Sequence, residues 1–401
     1  PWTDLNLAGV TGTNGKTTVA VLARHLLGGI GPARAFGTLG LVEENGKVRP
    51  GTEGLTTPGP VQMSQWFREM ADQGIHYGVF EASSHSLAQH RLDGIRVDCA
   101  VFTNLTQDHL DYHSDLDEYR EAKATLLGLL KPAGWVVVNR DDPNWDALPV
   151  DPDRTVSFGI EGGTGELTRI SGSGDRRLVA SDPELLSGGT SFTIQSGPEE
   201  ARVQLPLLGR FNVENALAAA GVALTAGLDL PRIAEGLSSA PQVPGRLERV
   251  AEGPVTVLID FAHTPDALER VLKTIRPLVQ GRLLVVFGAG GDRDTGKRPR
   301  MGEVVARLAD FSFVTSDNPR TEDPEVIIDD VVAGMGEAPF HRTADRREAI
   351  ADALEEARPG DLLLLAGKGH ETYQVIGLEP QPFDEAAIVG ELLGLPGEGS
   401  P

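Results

Sequence analysis

Gly12-Thr13-Asn14-Gly15-Lys16-Thr17-Thr18 is the stretch on which the reading of this sequence turns. An apolar run, Leu5-Asn6-Leu7-Ala8-Gly9-Val10, leads into it with the length of a short buried strand. An apolar-periodic segment from Thr17 to Leu27 leaves it with the spacing of a helix. A glycine-rich turn in that setting can wrap its backbone around phosphate oxygens, and the helix N-terminus presents further N–H groups. Lys16 would bring a positive charge to the β/γ-phosphates, and the Thr17 hydroxyl could ligate Mg²⁺. The strict phosphate-loop pattern requires a glycine where Val10 stands. An ordinary tight strand–helix turn is the alternative.

Outward from the loop, strand-like runs recur at Tyr77–Glu81, Cys99–Thr103 and Trp135–Asn139, with helical patterns between them. That alternation predicts a parallel sheet covered on both faces. Between Thr155 and Leu208, Gly, Ser and Thr cluster around short runs such as Ser191–Ile194, a texture of small antiparallel strands and hairpins. A helix is expected over Val213–Leu224, then a linker at Pro241-Gln-Val-Pro-Gly245. Beyond it, Val255–Asp260, Leu283–Phe287, Phe311–Thr315 and Leu362–Ala366 are strand candidates alternating with helices. The expected fold is α/β: a P-loop central domain over residues 1–244 with a mostly parallel sheet, then a Rossmann-like α/β domain over 245–401. The tail Pro396–Pro401 is expected to be disordered, and no internal repeat is visible.

Composition excludes several classes. A chain of 401 residues exceeds one ordinary core. Lys and Arg total 36 against 58 Asp and Glu, a net charge of −22, which argues against a nucleic-acid partner. No run of about 18 apolar residues exists, so no membrane insertion is expected. The single cysteine, Cys99, precludes an internal disulfide and suits a cytoplasmic protein. The chain starts at Pro1 with its first apolar run leading straight into the loop, which reads as a chain missing something upstream.

The shortened form Gly-Thr-Asn-Gly-Lys-Thr-Thr resembles the Mur ligase family, which has folylpolyglutamate synthetase as a cousin. The resemblance continues through Glu81-Ala-Ser-Ser-His-Ser-Leu-Ala-Gln-His-Arg91, Thr103-Asn-Leu-Thr-Gln-Asp-His-Leu-Asp-Tyr-His113 and Tyr119-Arg-Glu-Ala-Lys123. It extends through Asp260-Phe-Ala-His-Thr-Pro-Asp266, Gly290-Gly-Asp-Arg-Asp-Thr-Gly-Lys-Arg298, Asp317-Asn-Pro-Arg320 and Gly367-Lys-Gly-His-Glu371, in family order. One branch is matched in particular: the ligase that extends UDP-N-acetylmuramoyl-L-alanyl-D-glutamate, commonly with meso-diaminopimelate. Relatives in that branch carry an N-terminal domain of about a hundred residues, of ordinary domain size, for the uridine diphosphate end. This sequence shows no counterpart, so an incomplete uridine pocket is expected.

The resemblance implies an ADP-forming acid–amino-acid ligase that uses ATP and two Mg²⁺ ions. Its substrates would be UDP-N-acetylmuramoyl-dipeptide and a diamino acid, its state monomeric, and its reaction would pass through an acyl phosphate. Gly12, Thr13, Asn14, Gly15, Lys16, Thr17 and Thr18 would hold phosphate. Thr17 and Glu81 would hold the first Mg²⁺. His109 and a CO₂-carbamylated Lys123 would hold the second. Asn212 would lie near adenine, or serve only as a polar residue starting a helix. Arg246, Asp260 and His263 would reach ATP from the second domain. Thr56, Thr57, Ser83, Gln89 and Arg91 would contact the muramoyl peptide. Arg293, Asp317, Asn318, Pro319, Arg320, Gly367 and Glu371 would receive the incoming amino acid. Within that site, Arg320 with Arg293 would suit the distal carboxylate of diaminopimelate, and an Arg320 paired with a neighbouring acid would leave lysine or ornithine as acceptor.

Other readings of the same residues are weaker. His109 and His113 lie four apart, but no third ligand at zinc spacing and no catalytic Glu accompany them. Ser83-Ser84-His85 lacks the Gly-x-Ser-x-Gly elbow of a hydrolase. Against a folate-type ligase stand the Ser-Ser-His run and the Asp-Asn-Pro-Arg loop. Against a non-catalytic nucleotide-binding scaffold stand Lys16, Glu81, His109 and Lys123 together.

Overall fold

A computed structural model describes residues 4–52, 54–106, 112–113, 115–162 and 176–395. His109 and the tail from Pro396 lie outside the described residues. The chain divides into two units, Pro1–Pro241 and Gln242–Pro401, at the Pro-Gln-Val-Pro-Gly segment.

The first unit is built on an eleven-stranded sheet. Its spatial order is Glu199–Leu205, Gly189–Ser196, Arg176–Leu186, Thr155–Ile160, Leu130–Asn139, Val97–Phe102, Asn6–Thr11, Tyr77–Glu81, Ala33–Gly37, Gly40–Val42 and Val48–Arg49. The strands from Ala33–Gly37 to Arg176–Leu186 in that order pair in parallel. Those at both edges pair antiparallel. The Thr155–Leu208 region is therefore only partly the set of hairpins its composition suggests. Thr155–Ile160 and Arg176–Leu186 extend the parallel sheet, because Thr155–Ile160 is buried throughout and carries residues suited to a covered strand.

Central strands are apolar and buried nearly end to end, as Asn6–Thr11 is after its first residue. Two helices, Lys16–Leu27 and Arg210–Thr225, are correspondingly apolar around most of their circumference. On the side of helix Pro60–Asp72, Phe36, Trp66, Phe67 and Phe80 form an aromatic cluster with centroid separations of 5.4–6.3 Å. Cys99 is buried in its strand, and that burial pushes its thiol up to about 12.

The second unit has a six-stranded sheet in the order Glu248–Ala251, Thr256–Asp260, Leu362–Ala366, Leu283–Phe287, Phe311–Val314 and Phe340–Arg342. All neighbours are parallel except the first pair. Leu283–Phe287 and Leu362–Ala366 are wholly buried apolar runs. A fully buried ion pair joins Arg346 and Glu385 at 2.8 Å. Arg346 also donates to the carbonyls of Ser316 and Ala366 at 3.2 and 2.9 Å. One guanidinium thus ties together the exits of two strands.

Candidate active site

In both units the candidate residues gather where parallel strands end, the place where open α/β sheets bind ligands. In the first unit the strand Asn6–Thr11 runs into the glycine-rich loop. Gly12 has φ 146° and a Cβ there would lie 1.8 Å from Thr103 Oγ1. Gly15 has φ 86° and a Cβ there would lie 2.1 Å from Asn215 Oδ1. Only glycine fits either position. Helix Lys16–Leu27 starts at Gly15 with no side-chain cap and no acidic residue in its first turn. Its N-terminal N–H groups therefore favour an anion. Lys16 Nζ donates to the carbonyls of Gly12 and Thr13 at 2.9 and 2.8 Å, folded over the loop.

The loop is held from outside its own segment. Thr13 N–H donates to Asn104 O at 2.7 Å, Asn14 N–H to Asn104 Oδ1 at 3.0 Å, and Thr103 Oγ1 to Asn14 O at 2.7 Å. Thr18 is buried within the helix.

Glu81 ends the neighbouring strand and is buried. Its Oε2 accepts from the Thr17 and Thr38 hydroxyls, each at 3.1 Å, and its Oε1 accepts from Thr38 N–H at 2.7 Å. A hydroxyl and a carboxylate meeting this way are hard oxygen donors, the set Mg²⁺ prefers. Immediately after Glu81, Thr57 Oγ1 donates to Glu81 O at 2.8 Å and accepts from Ser83 N–H at 2.9 Å. Arg91 Nη1 donates to Thr57 O at 3.0 Å. Thr57, Ser83 and Arg91 are thus one cluster. Gln89 is exposed beside it and reaches the Tyr112 hydroxyl at 3.4 Å, and Thr56 is half-buried next to Thr57.

Lys123 lies on helix Leu116–Ala124 one turn beyond Tyr119, and both are buried. Its Nζ sits 4.3 Å from the Tyr119 ring centroid and donates to Gly12 O at 2.8 Å. Two lysine ammonium groups therefore converge on one loop carbonyl. His113 is buried in a group of rings with His85, Tyr112 and Tyr119. Asn212 is buried in the first turn of helix Arg210–Thr225. It donates to Leu208 O at 2.8 Å and accepts from Asn215 at 3.0 Å, and Asn215 in turn abuts Gly15.

In the second unit, Asp260 is buried and accepts from the N–H groups of Leu247 and Ala262 at 2.7 and 2.8 Å. Burial holds its carboxyl above the ordinary range, and Arg246 opposes that. Arg246 stacks 5.0 Å from the Phe261 ring centroid. His263 Nδ1–H donates to Phe261 O at 2.7 Å, and desolvation lowers its pKa.

Around the ends of the next strands, Asp317 and Asn318 meet Gly367, Lys368 and Glu371. Asn318 Nδ2 donates to Glu371 Oε2 at 2.9 Å. Gly367 has φ 119°, and a Cβ there would lie 2.6 Å from Asp317 Oδ2. Arg320, after the buried Pro319, has φ 51° and donates to the carbonyls of Gly291 and Asn318 at 2.8 and 3.4 Å. A Cβ on Gly290 would lie 3.1 Å from Arg320 Nη1 and 3.9 Å from Arg293 Cγ, so both arginines flank that glycine.

Comparison with known proteins shows the family. The Mur ligase middle domain matches residues 10–223, and the Mur ligase glutamate ligase domain matches residues 245–369. A UDP-N-acetylmuramoyl-L-alanyl-D-glutamate--2,6-diaminopimelate ligase of Gloeobacter violaceus is 43% identical over 397 residues, covering 98% of this chain and 78% of that protein. The protein of the same name from Synechococcus sp. is 44% identical, covering 95% and 76%. The chain belongs to the Mur ligase family. A solved structure of a ligase of that same name is similar at a TM-score of 0.68 and 36% identity, over 98% of this chain and 79% of the other. Mur ligases are ATP-dependent enzymes that use Mg²⁺, and this Mur ligase is one of them.

Several residues of this Mur ligase's candidate site are not singled out by sequence reasoning. Thr38 supplies two of the bonds to Glu81, and Asn104 and Asn215 brace the phosphate loop. Lys297 donates to His263 O at 3.1 Å, and Lys368 sits among Asp317, Asn318 and Glu371. Lys297, Lys368 and Asn104 lie inside quoted motifs, so the motifs carried the signal. Asn215 closes the Leu208–Asn215 stretch that holds Asn212, and Thr38 had no such signal.

Proposed function

We propose that this Mur ligase joins a diamino acid, with meso-diaminopimelate favoured, to UDP-N-acetylmuramoyl-L-alanyl-D-glutamate. A carboxylate does not condense with an amine in water, so the dipeptide carboxylate first attacks the γ-phosphorus of ATP and ADP leaves. The acceptor amine then attacks the acyl phosphate carbonyl, loses a proton, and phosphate departs as the peptide bond forms. Lys16, the N–H groups of Gly12–Thr18 and the helix N-terminus hold the phosphates and offset the charge that develops on transfer. Thr17 and Glu81 hold a first Mg²⁺, and Lys123 with His109 a second. Bound Mg²⁺ screens the repulsion between the anionic carboxylate and ATP.

Carbamylation suits Lys123 because a buried amine loses its proton more readily and can then add CO₂. The product is an anionic oxygen ligand. It also relieves the repulsion between two cations directed at Gly12 O. Thr56, Thr57, Ser83, Gln89 and Arg91 receive the muramoyl peptide. Asn212, Arg246, Asp260 and His263 serve the nucleotide, and the reaction is cytoplasmic and monomeric.

The observation carrying the acceptor assignment is the pair of arginines around Gly290. Diaminopimelate differs from lysine by a second carboxylate, and a guanidinium fork matches a planar carboxylate with charge-assisted bonds. Arg320 donates to the backbone carbonyls of Gly291 and Asn318, and the neighbouring Asp292 carboxyl, which accepts from Thr321, acts on it only through space. Each charge-assisted bond contributes roughly 1.5–3 kcal/mol. Two of them discriminate by about a hundredfold to ten-thousandfold against an acceptor that leaves the arginine unpaired. Steady-state phosphate release with meso-diaminopimelate, L-lysine and L-ornithine tests this. The expected order favours diaminopimelate, and Arg320→Ala is expected to erase the preference. A higher kcat/KM for lysine or ornithine, unchanged in Arg320→Ala, would show that the acceptor is not diaminopimelate.

A further inference from the structure

Lys368 follows Gly367 at the end of the strand Leu362–Ala366 and is completely buried, with 0% of its side chain exposed. Its Nζ donates to Asn318 Oδ1 and to Glu371 Oε2, both at 3.0 Å, and lies 3.8 Å from Asp317 Oδ1. The Tyr373 ring centroid is 5.9 Å away. Asn318 Nδ2 closes the triangle by donating to Glu371 Oε2 at 2.9 Å. Asn318 Oδ1 also accepts from Val375 N–H at 2.9 Å.

These bonds orient the Asn318 amide one way only. Its Oδ1 faces two donors, and a flipped amide would turn its NH₂ against an ammonium and a backbone N–H. Glu371 is fixed through one oxygen and keeps 19% of its side chain exposed. A ligand can therefore touch Glu371 but cannot touch Lys368. A buried cation surrounded by acceptors is costly to build unless each bond is satisfied.

We propose that Lys368 is a positioning residue for the acceptor amino acid, acting through the Glu371 carboxylate and the Asn318 amide. This rests on the reading of that region as the acceptor site. Lysine is suited to the role because one compact ammonium directs three hydrogens into a closed triangle, which a planar guanidinium would not fit.

The test is phosphate-release kinetics on the full chain, titrating meso-diaminopimelate and ATP separately. Lys368→Met, Glu371→Gln and the double variant are compared, with melting temperature followed for each. Lys368→Met is expected to raise the acceptor KM about thirtyfold or more while the ATP KM stays within about threefold. In the double variant the opposite charges leave together, so folding is retained even where Lys368→Met alone fails to fold. Its acceptor KM is expected to exceed that of Glu371→Gln alone by much less than the roughly thirtyfold effect of Lys368→Met, because one of the two partners through which Lys368 acts is gone. Equal rises in both KM values, an unchanged acceptor KM, or full additivity in the double variant would overturn the proposal. Arg320→Ala separates the two levels of inference. If it raises the acceptor KM and Lys368→Met does not, the region is the acceptor site but Lys368 does not position it. If neither variant moves the acceptor KM, the reading of the region itself fails.

Discussion

The phosphate loop and the Asp317–Glu371 region of the second unit solve opposite problems. The loop is mostly backbone: two glycines in left-handed conformations, an uncapped helix start, and lysines folded onto carbonyls. It comes from one short stretch and can take any ligand with phosphate oxygens. The other region is mostly side chain, drawn from two strand ends, with its charges paired beforehand around a buried lysine. Backbone donors suit a phosphate group, whose oxygens are equivalent. Selecting one amino acid among similar ones needs side chains at fixed spacing. The difference lies in how much each site must discriminate.

Variants can sharpen that contrast. Lys16→Ala is expected to have the largest effect, a loss of ligation of about a thousandfold or more with the fold intact, because the ammonium lies over the loop outside the core. Phosphate release together with a thermal melt would show it. Near-normal turnover would mean that the loop does not hold the reacting phosphate.

Lys123→Ala is expected to come next, with a loss of roughly a hundredfold or more. Partial recovery on adding a short carboxylic acid would identify the missing group as an anion, not an ammonium. Recovery with a short amine, and none with the acid, would indicate that Lys123 acts as a cation.

A smaller effect concerns pH and the second unit. Desolvation lowers the His263 pKa from its ordinary 6.5, with Lys297 and Arg246 adding to the shift and Phe261 O and Asp317 opposing it. The unfolded histidine therefore binds its proton first as pH falls. Stability due to the neutral ring is present above pH 6.5 and is lost below it, down to the folded pKa. His263→Gln should reduce the acid-side fall in melting temperature by about 2 °C. An identical fall in both proteins would mean that His263 does not contribute.

Sequence reading served these two regions unequally. Strands such as Tyr77–Glu81, Leu283–Phe287 and Leu362–Ala366 were legible because unbroken apolar runs leave few other choices. Ala33–Gly37 was not, since Ala-Arg-Ala-Phe-Gly carries no period and Arg34 is buried by ion pairs with Glu44 and Glu69. The parallel pairing of Thr155–Ile160 and Arg176–Leu186 was missed because local composition says nothing about a strand's neighbour. In the phosphate loop the motif names its own residues, yet the braces from Asn104 and Asn215 come from distant segments. The side-chain bonds of Asn318 join residues fifty or more positions apart, which no local pattern can report.

The Arg346–Glu385 pair has a consequence for how the second unit responds to heat. Removing two full charges from water is costly at room temperature, and burial already holds the Glu385 carboxyl above its ordinary range despite Arg346. The hydration those charges give up carries a strongly negative entropy, so the sacrifice shrinks as temperature rises. The attraction between them, at 2.8 Å and sealed from solvent, does not weaken in step. The clasp between the exits of Phe311–Val314 and Leu362–Ala366 thus tightens relative to the surrounding apolar core on warming, and these two strand ends should be among the last parts of the unit to loosen.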